Sequence, residues 1–351
     1  MKALALLVPG RIDQLTGGYL YARHLVDGMR ARGREVAVRE LDGRFPDADA
    51  IARDSTARAL AALGDGAVAV IDGLALAGFD DCLAREARRL RLLALVHHPL
   101  ADETGLDVGA MKAFAALERR SLPLFRGVIC PSERTASSLA ACGVAPDRIA
   151  VAPPGTMKPV RAIARAKRDG PLRLLSVATV TPRKGHAVLI EALAGIASRD
   201  WRLDIVGSLA RDRATVEAVR SAIARHGLGA RVNLLGQRPQ ALLADAYERA
   251  DVFVLASYHE GYGMAFAEAM AWGLAIVATD AGAIPDTVPE SAGILVPPGD
   301  AKALAAALAR VMDDDDLRAA LAAGAAAAGA KLPDWDQAVD RFIVAAEGLL
   351  A

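Results

Sequence analysis

The feature that most constrains this chain is its rhythm, in which short apolar runs of strand length alternate with stretches of helical period along nearly the whole sequence. Strands that read as continuous apolar runs are buried on both faces, and a helix between consecutive strands is what a parallel sheet needs for its crossovers. In the first half the pattern predicts strands at 3–8, 35–41, 67–71, 92–97, 127–130 and 148–152, separated by helices at 18–31, 48–63, 81–90, 107–120 and 132–141. The rhythm breaks at Ala152-Pro153-Pro154-Gly155 and stays broken through Lys158-Pro159 and a basic tract to Gly170, as linkers between domains do. It restarts at Leu172 to Val177, with strands expected near 202–206, 231–234, 252–256, 275–278 and 293–296, and the last part of the chain is strongly helical. The expected fold is α/β, two doubly wound Rossmann-like domains facing a cleft, divided into 1–165 and 166–334, with ligands at the carboxyl ends of the strands.

A length of 351 residues exceeds what one ordinary core supports, which agrees with two domains. Lys plus Arg and Asp plus Glu balance at 42 each, so no basic field exists for nucleic acid and that partner is excluded. No apolar run reaches the ~20 residues a membrane span needs. The apolar run Ala3 to Val8 is too short for a secretory leader and leads into Pro9-Gly10-Arg11, so it reads as the first strand of a cytoplasmic protein. Cys82, Cys130 and Cys142 lie far apart with no clustered histidines, which reads as reduced core thiols and no metal site.

Three stretches carry the chemistry. Glu260-Gly261-Tyr262-Gly263-Met264-Ala265 follows the strand 252–256 and opens a helix that contains Glu268. Backbone N–H groups at a helix start, with glycines that let a ligand approach, suit a diphosphate, and two acids seven residues apart can reach different parts of one ligand. A helix cap with a surface carboxylate fits the same letters. Arg183 and Lys184, before Gly185 and after the strand 172–177, supply two cations where a departing phosphate could be neutralised; a solvated basic turn is the plain alternative. In the first half Gly17 and Gly18 open a helix, and His97-His98-Pro99 ends a strand with one imidazole directed inward. No G-x-G-x-x-G follows the first strand, which disfavours a nicotinamide site.

These residues resemble the retaining glycosyltransferases of family 4, which have the GT-B fold. The resemblance covers nearly the whole chain: EGYGMAFAE at 260–268 with AMAWGLAIVAT after it, SVATVTPRKGHAVLIEAL from Ser176, the Gly17-Gly18 pair, and GILVPPGD at 293–300. It implies that Arg183 and Lys184 hold the donor diphosphate while the backbone of Gly261, Tyr262, Gly263, Met264 and Ala265 approaches phosphates and sugar. Glu268 is implied to bind the ribose hydroxyls, Glu260 the transferred sugar, and His97, or its neighbour His98, to lie near that sugar. It further implies no metal or other cofactor, and a C-terminal helix at about 335–351 that packs back on the first domain.

The reaction implied is transfer of a hexose from a nucleotide diphosphate sugar, UDP-linked or GDP-mannose, with the departing phosphate accepting the acceptor's proton. The partners expected are that donor and a small-molecule, glycan or lipid-linked acceptor whose identity the letters do not state. The basic segment Arg85 to Arg91 reads as a solvated face rather than a membrane contact, because no broad apolar stripe with aromatics adjoins it. The competing readings are a nucleotide-sugar epimerase or hydrolase of similar fold and a catalytically silent nucleotide-sugar binder.

Overall fold

The computed structural model of the chain describes residues 1–160 and 170–351. The expected division at 165/166 lies outside the described residues, as does most of the basic tract before Gly170. The chain separates into two compact units, one built from Met1–Gly155 together with Pro333–Ala351 and the other from Thr156–Leu332.

Unit 1 holds β1 (Ala3–Pro9), β2 (Glu35–Leu41), β3 (Val68–Asp72), β4 (Arg91–Leu95), β5 (Gly127–Cys130) and β6 (Ile149–Val151), parallel throughout in the order β2-β1-β3-β4-β5-β6. Its helices are α1 (Gly17–Ala31), α2 (Ala50–Ala61), α3 (Leu76–Phe79), α4 (Leu83–Glu86), α5 (Val108–Ser121) and α6 (Glu133–Ala141). Alternate strand residues feed two cores. Leu4, Leu6, Val8, Val70, Leu93 and Ile129 join α1 and the last helix, Trp335–Leu350, while Ala5, Leu7, Ile71, Leu92 and Val128 join the remaining helices. The last helix starts from a reciprocal capping box between Asp334 and Gln337. It fits because glycines face it: a Cβ on Gly28 would lie 2.5 Å from Val339, and one on Gly127 would lie 2.6 Å from Leu349.

The continuous helix expected at 81–90 is replaced by short pieces, because the stretch between β3 and β4 must fold tightly onto its surroundings. A Cβ on Gly78 would lie 2.7 Å from Thr56, and Gly73 passes close to Val96. Within this stretch Arg85 and Arg89 pair with the buried carboxylate of Glu86, and Arg89 also donates to the carbonyls of Leu60 and Leu63. The basic letters there thus serve the fold: Arg89 closes off the end of α2.

Unit 2 holds β7 (Leu172–Val177), β8 (Trp201–Val206), β9 (Val232–Gly236), β10 (Val252–Leu255), β11 (Ala275–Thr279) and β12 (Gly293–Val296), again parallel, in the order β12-β11-β10-β7-β8-β9. Around it lie α7 (His186–Ala194), α8 (Arg213–Arg225), α9 (Gln240–Arg249), α10 (Met264–Ala271), α11 (Ile284–Thr287), α12 (Ala301–Asp313) and α13 (Asp315–Lys331). The same alternation divides Leu174, Leu203, Val252 and Val277 from Leu175, Phe253, Leu255 and Ile276, one set for each face of the sheet. Each sheet reverses its strand order once, between β1 and β3 in unit 1 and between β7 and β10 in unit 2. In open parallel sheets that reversal opens a crevice at the carboxyl edge, where ligands bind.

Candidate functional site

The reversal in unit 2 brings together the turn after β7 and the loop after β10, and these carry most of the residues singled out in the sequence. Pro182–Lys184 forms a single tight turn ending on Gly185, whose φ of +63° is left-handed. A Cβ there would lie 1.9 Å from the carbonyl oxygen of Ala256, so only glycine lets the two segments touch. The Tyr258 amide donates to the Arg183 carbonyl at 2.8 Å and locks them in register.

Lys184 Nζ donates to Glu260 Oε1 at 2.6 Å, Ser257 Oγ donates to the same oxygen at 2.7 Å, and the Arg183 guanidinium stands 3.6 Å from Oε2 while donating to the His259 carbonyl at 2.8 Å. Burial pushes the Glu260 carboxyl up, but Lys184, Arg183 and the hydrogen bonds from Lys184 and Ser257 outweigh it and hold the group at about 2. Glu260 is therefore ionised at neutral pH, and it gathers two cations at the mouth of the reversal. Its backbone is fixed as well: the Ala283 amide donates to the Glu260 carbonyl at 2.8 Å, beside Gly282 at φ +57°. The two glutamates were expected to act on separate parts of a ligand, yet this geometry couples Glu260 directly to the cation pair.

Gly261, Tyr262 and Gly263 lead into α10, with Gly263 left-handed at φ +91° and Thr287 Oγ1 donating to the Tyr262 carbonyl. The first amides of a helix, here including Met264 and Ala265, have no intrahelical acceptor and carry the positive end of the helix dipole. Glu268 lies just over a turn further on. Tyr247 Oη donates to its Oε2 at 2.8 Å, and burial pushes the Glu268 carboxyl up to about 7 against that hydrogen bond.

Unit 1 has its own reversal, with a different chemistry. Gly17 and Gly18 open α1 after β1, and a Cβ on Gly18 would lie 3.0 Å from the His97 ring. His97 Nε2 lies 3.3 Å from Oδ2 of Asp72, a buried residue at the end of β3 whose Oδ1 accepts from the Leu74 amide. The ring also meets Tyr21 edge-on at 6.1 Å. His98 turns elsewhere, to Glu103 at 3.3 Å. The loop that follows is seated by Glu118 on α5, a fully buried carboxylate that accepts from the Leu100 amide at 2.6 Å and that burial pushes up to about 7.

Sequence reasoning missed Asp72, Glu118, Tyr247 and Ser257. Only Ser257 left a signal, standing three residues before Glu260 in the spacing of a capping motif. The others act across the fold from elements distant in sequence. Among the described residues no group of three or more His, Cys, Asp or Glu could hold a metal ion, and no helix is long and apolar enough to cross a membrane.

Two family models match, one on each unit: Glycosyltransferase Family 4 over residues 16–156 and Glycosyl transferases group 1 over residues 161–327. The chain is 36% identical over 189 residues to a D-inositol 3-phosphate glycosyltransferase of Corynebacterium efficiens, a match covering 49% of this chain and 45% of that protein. It is 31% identical over 251 residues to a putative colanic acid biosynthesis glycosyltransferase, WcaL, of Salmonella typhimurium, covering 67% of this chain and 61% of the relative. The first of these matches thus spans about half the relative's length. Among solved structures, sucrose-phosphate synthase from Thermosynechococcus elongatus superposes with a TM-score of 0.82 at 22% identity, and Anabaena HepE in complex with UDP and glucose with 0.75 at 20%, each over 98% of both chains. At such identities the likeness speaks for the fold alone. With a family model on either unit and the fold matched along its length, the chain belongs to the family 4 glycosyltransferases, in their GT-B form.

Proposed function

We propose that this chain is a retaining hexosyltransferase that takes its sugar from a nucleotide diphosphate donor, UDP-linked or GDP-mannose, and passes it to a small-molecule, glycan or lipid-linked acceptor. The observation that carries the reading is the buried carboxylate of Glu260 holding Lys184 at 2.6 Å and Arg183 at 3.6 Å, beside the glycine-bearing start of α10. Cations held in place before the reaction stabilise the charge that appears on a departing diphosphate without reorganising at that moment. In this reading Arg183, Lys184 and the α10 amides bind the diphosphate, Glu260 Oε2 accepts from a sugar hydroxyl, and Glu268 accepts from the ribose. Gly17, Gly18 and His97 belong to the sugar, with Asp72 fixing the imidazole.

As the bond from the anomeric carbon to the phosphate oxygen breaks, the acceptor oxygen bonds to the same face of that carbon, and its proton passes to the departing phosphate. No side chain has to serve as general base, and no resident metal enters the reading because the two cations supply the positive charge. The names of the matched relatives support glycosyl transfer, and the UDP and glucose bound in HepE support a nucleotide-sugar donor.

The test is a thermal-shift screen of UDP, GDP and NAD, followed by product analysis with UDP-glucose and GDP-mannose with and without a mixture of candidate acceptors. A nucleoside diphosphate at about 100 times its Kd adds roughly 2.7 kcal/mol of stability, and NAD adds none. A glycosylated product appears only with acceptor, which separates transfer from epimerisation, hydrolysis or silent binding, and EDTA leaves its formation intact. Lys184→Ala lowers turnover by ~10²–10³, the cost of losing one preorganised donor to the transition state. Stabilisation by NAD alone, or donor consumption that ignores the acceptor, overturns the reading.

A further inference from the structure

Glu268 does not find its direction unaided. Tyr247, on α9 and fully buried, donates to Glu268 Oε2 at 2.8 Å, whereas the Ala265 carbonyl is 3.5 Å away. The phenol ring that carries this hydroxyl is clamped, stacked on Trp272 with centroids 6.0 Å apart at 19° and on Phe253 with centroids 6.3 Å apart at 25°. A phenol has one aryl torsion beyond χ1, so a clamped ring delivers its hydroxyl to one place. The second carboxylate oxygen, Oε1, takes no hydrogen-bond partner among the described residues, and Glu268 as a whole is only partly buried. One oxygen is thus tied down and the other is presented.

The charged groups nearby do not account for this. α9 carries Asp245, Glu248 and Arg249, α11 carries Asp286, and α13, packed along α10, carries Asp315, Asp316, Arg318 and Lys331. The groups that act on the Glu268 carboxyl are its own burial, which raises it to about 7, and the Tyr247 hydroxyl, which lowers it. With no cation fixing the carboxylate among the described residues, its direction and ionisation rest on one hydroxyl.

We propose that Tyr247 is a positioning residue for nucleotide binding: its hydroxyl fixes Glu268 Oε2 and thereby aims Oε1 as the acceptor for the two neighbouring hydroxyls of a ribose. This rests on the nucleotide-sugar reading above. An ionised carboxylate accepts from a diol better than a protonated one. Donor affinity therefore rises as pH climbs through about 7, where the free carboxyl gives up its proton. Removing the hydroxyl takes away the interaction that favours the ionised form, and the midpoint of that rise moves to higher pH.

The experiment is calorimetric titration of UDP-glucose and of GDP-mannose, without acceptor, into the full chain and its Tyr247→Phe and Glu268→Gln variants, from about pH 6 to about pH 9. These sugar nucleotides are diphosphate diesters, so their phosphates do not titrate across the range. Tyr247→Phe should bind about fivefold to tenfold more weakly near neutrality, with the loss shrinking as pH rises and the midpoint displaced upward. Glu268→Gln should flatten the profile. Should Tyr247→Phe fold poorly, the chain with 3-fluorotyrosine incorporated at position 247 alone carries the test, because a more acidic hydroxyl is a stronger donor and must move the midpoint down.

A uniform loss in Tyr247→Phe with an unmoved midpoint reduces Tyr247 to packing and overturns the proposal, as does wild-type affinity at every pH. A wild type that binds neither sugar nucleotide defeats the donor reading itself, and the proposal with it. A wild type that binds while both tyrosine changes leave the midpoint in place defeats the proposal alone.

Discussion

At its strand-order reversal unit 2 presses backbone against backbone, whereas unit 1 presses backbone against a side chain. Gly185 faces the Ala256 carbonyl, Gly282 faces the Glu260 backbone, and two cations and a hydroxyl are fixed around one carboxylate. In unit 1 Gly18 faces an imidazole, which the Asp72 carboxylate meets at 3.3 Å. The difference follows from what each place can tolerate. Clustered charges in a partly dry crevice are stable only if their distances cannot drift, and peptide groups packed on each other do not drift. A ring against a helix start can move by a few tenths of an ångström and still be in contact. In the reading proposed above, unit 2 thus offers the diphosphate a preformed setting, whereas the unit 1 contact is adjustable.

The largest effect that can break this contrast is Gly185→Ala. The added methyl would sit 1.9 Å from a carbonyl oxygen at a left-handed φ, and neither can give, so the expected loss is about 3–5 kcal/mol. Urea unfolding measures it; a loss under about 1 kcal/mol would mean that the turn is soft and the contrast false.

Glu260→Gln tests the charges rather than the backbone. The unfolded carboxyl takes its proton near 4.5 and the folded one at about 2, so between those values the unfolded state binds more protons and stability falls as the pH falls. The ionised group thus contributes about 3 kcal/mol above pH 4.5, a contribution that vanishes as the pH approaches 2. Unfolding curves of wild type and variant, well separated at neutral pH, should draw together toward the acid end. Curves that stay parallel would show that the cations do not hold Glu260 as described.

The smallest effect sharpens the comparison from the other side. In Gly18→Ala the new methyl meets the His97 ring at 3.0 Å, but φ is ordinary and alanine favours the helix, so stability should stay within about 0.5 kcal/mol of wild type. Turnover should nevertheless fall severalfold as the ring is pushed off Asp72, with affinity for a bare nucleoside diphosphate unchanged. A destabilisation as large as that of Gly185→Ala would erase the distinction between the two sites.

Most of the fold was legible because it is written in alternation. Leu4, Leu6 and Val8 go to one core and Ala5 and Leu7 to the other, which only a sheet covered on both faces requires. The expected strands at 35–41, 127–130, 172–177 and 293–296 coincide with the observed ones. What could not be read was anything decided by contact between remote segments. The stretch at 81–90 has helical composition, but only Leu83–Glu86 is helical, in a segment between β3 and β4 that packs closely on its surroundings at Gly73 and Gly78. Arg183, Lys184, Glu260 and Glu268 announced themselves through glycines and charges in local strings. Asp72 and Tyr247 did not, because a residue that orients another needs only the right position in space, and a lone Asp or Tyr has no local pattern.

The last helix gives the chain a particular order of assembly. One face of the unit 1 sheet is finished only by Val339, Phe342, Ile343, Ala346 and Leu350, so that core lacks a wall until the end of the chain has emerged. Unit 2 is continuous in the chain. Its two ends meet, Lys158 Nζ donating to the Ala330 carbonyl at 3.3 Å, so once folded it acts as a clip across the long interruption in unit 1. Bringing the N-terminal amine to Glu347 across an open chain would cost about 5 kcal/mol in loop-closure entropy, and the folded clip takes about half of that span out beforehand, which lowers the cost by about 0.6 kcal/mol. The inserted unit thereby shortens the loop that unit 1 has to close, and a lesion that keeps it unfolded leaves that loop at full length.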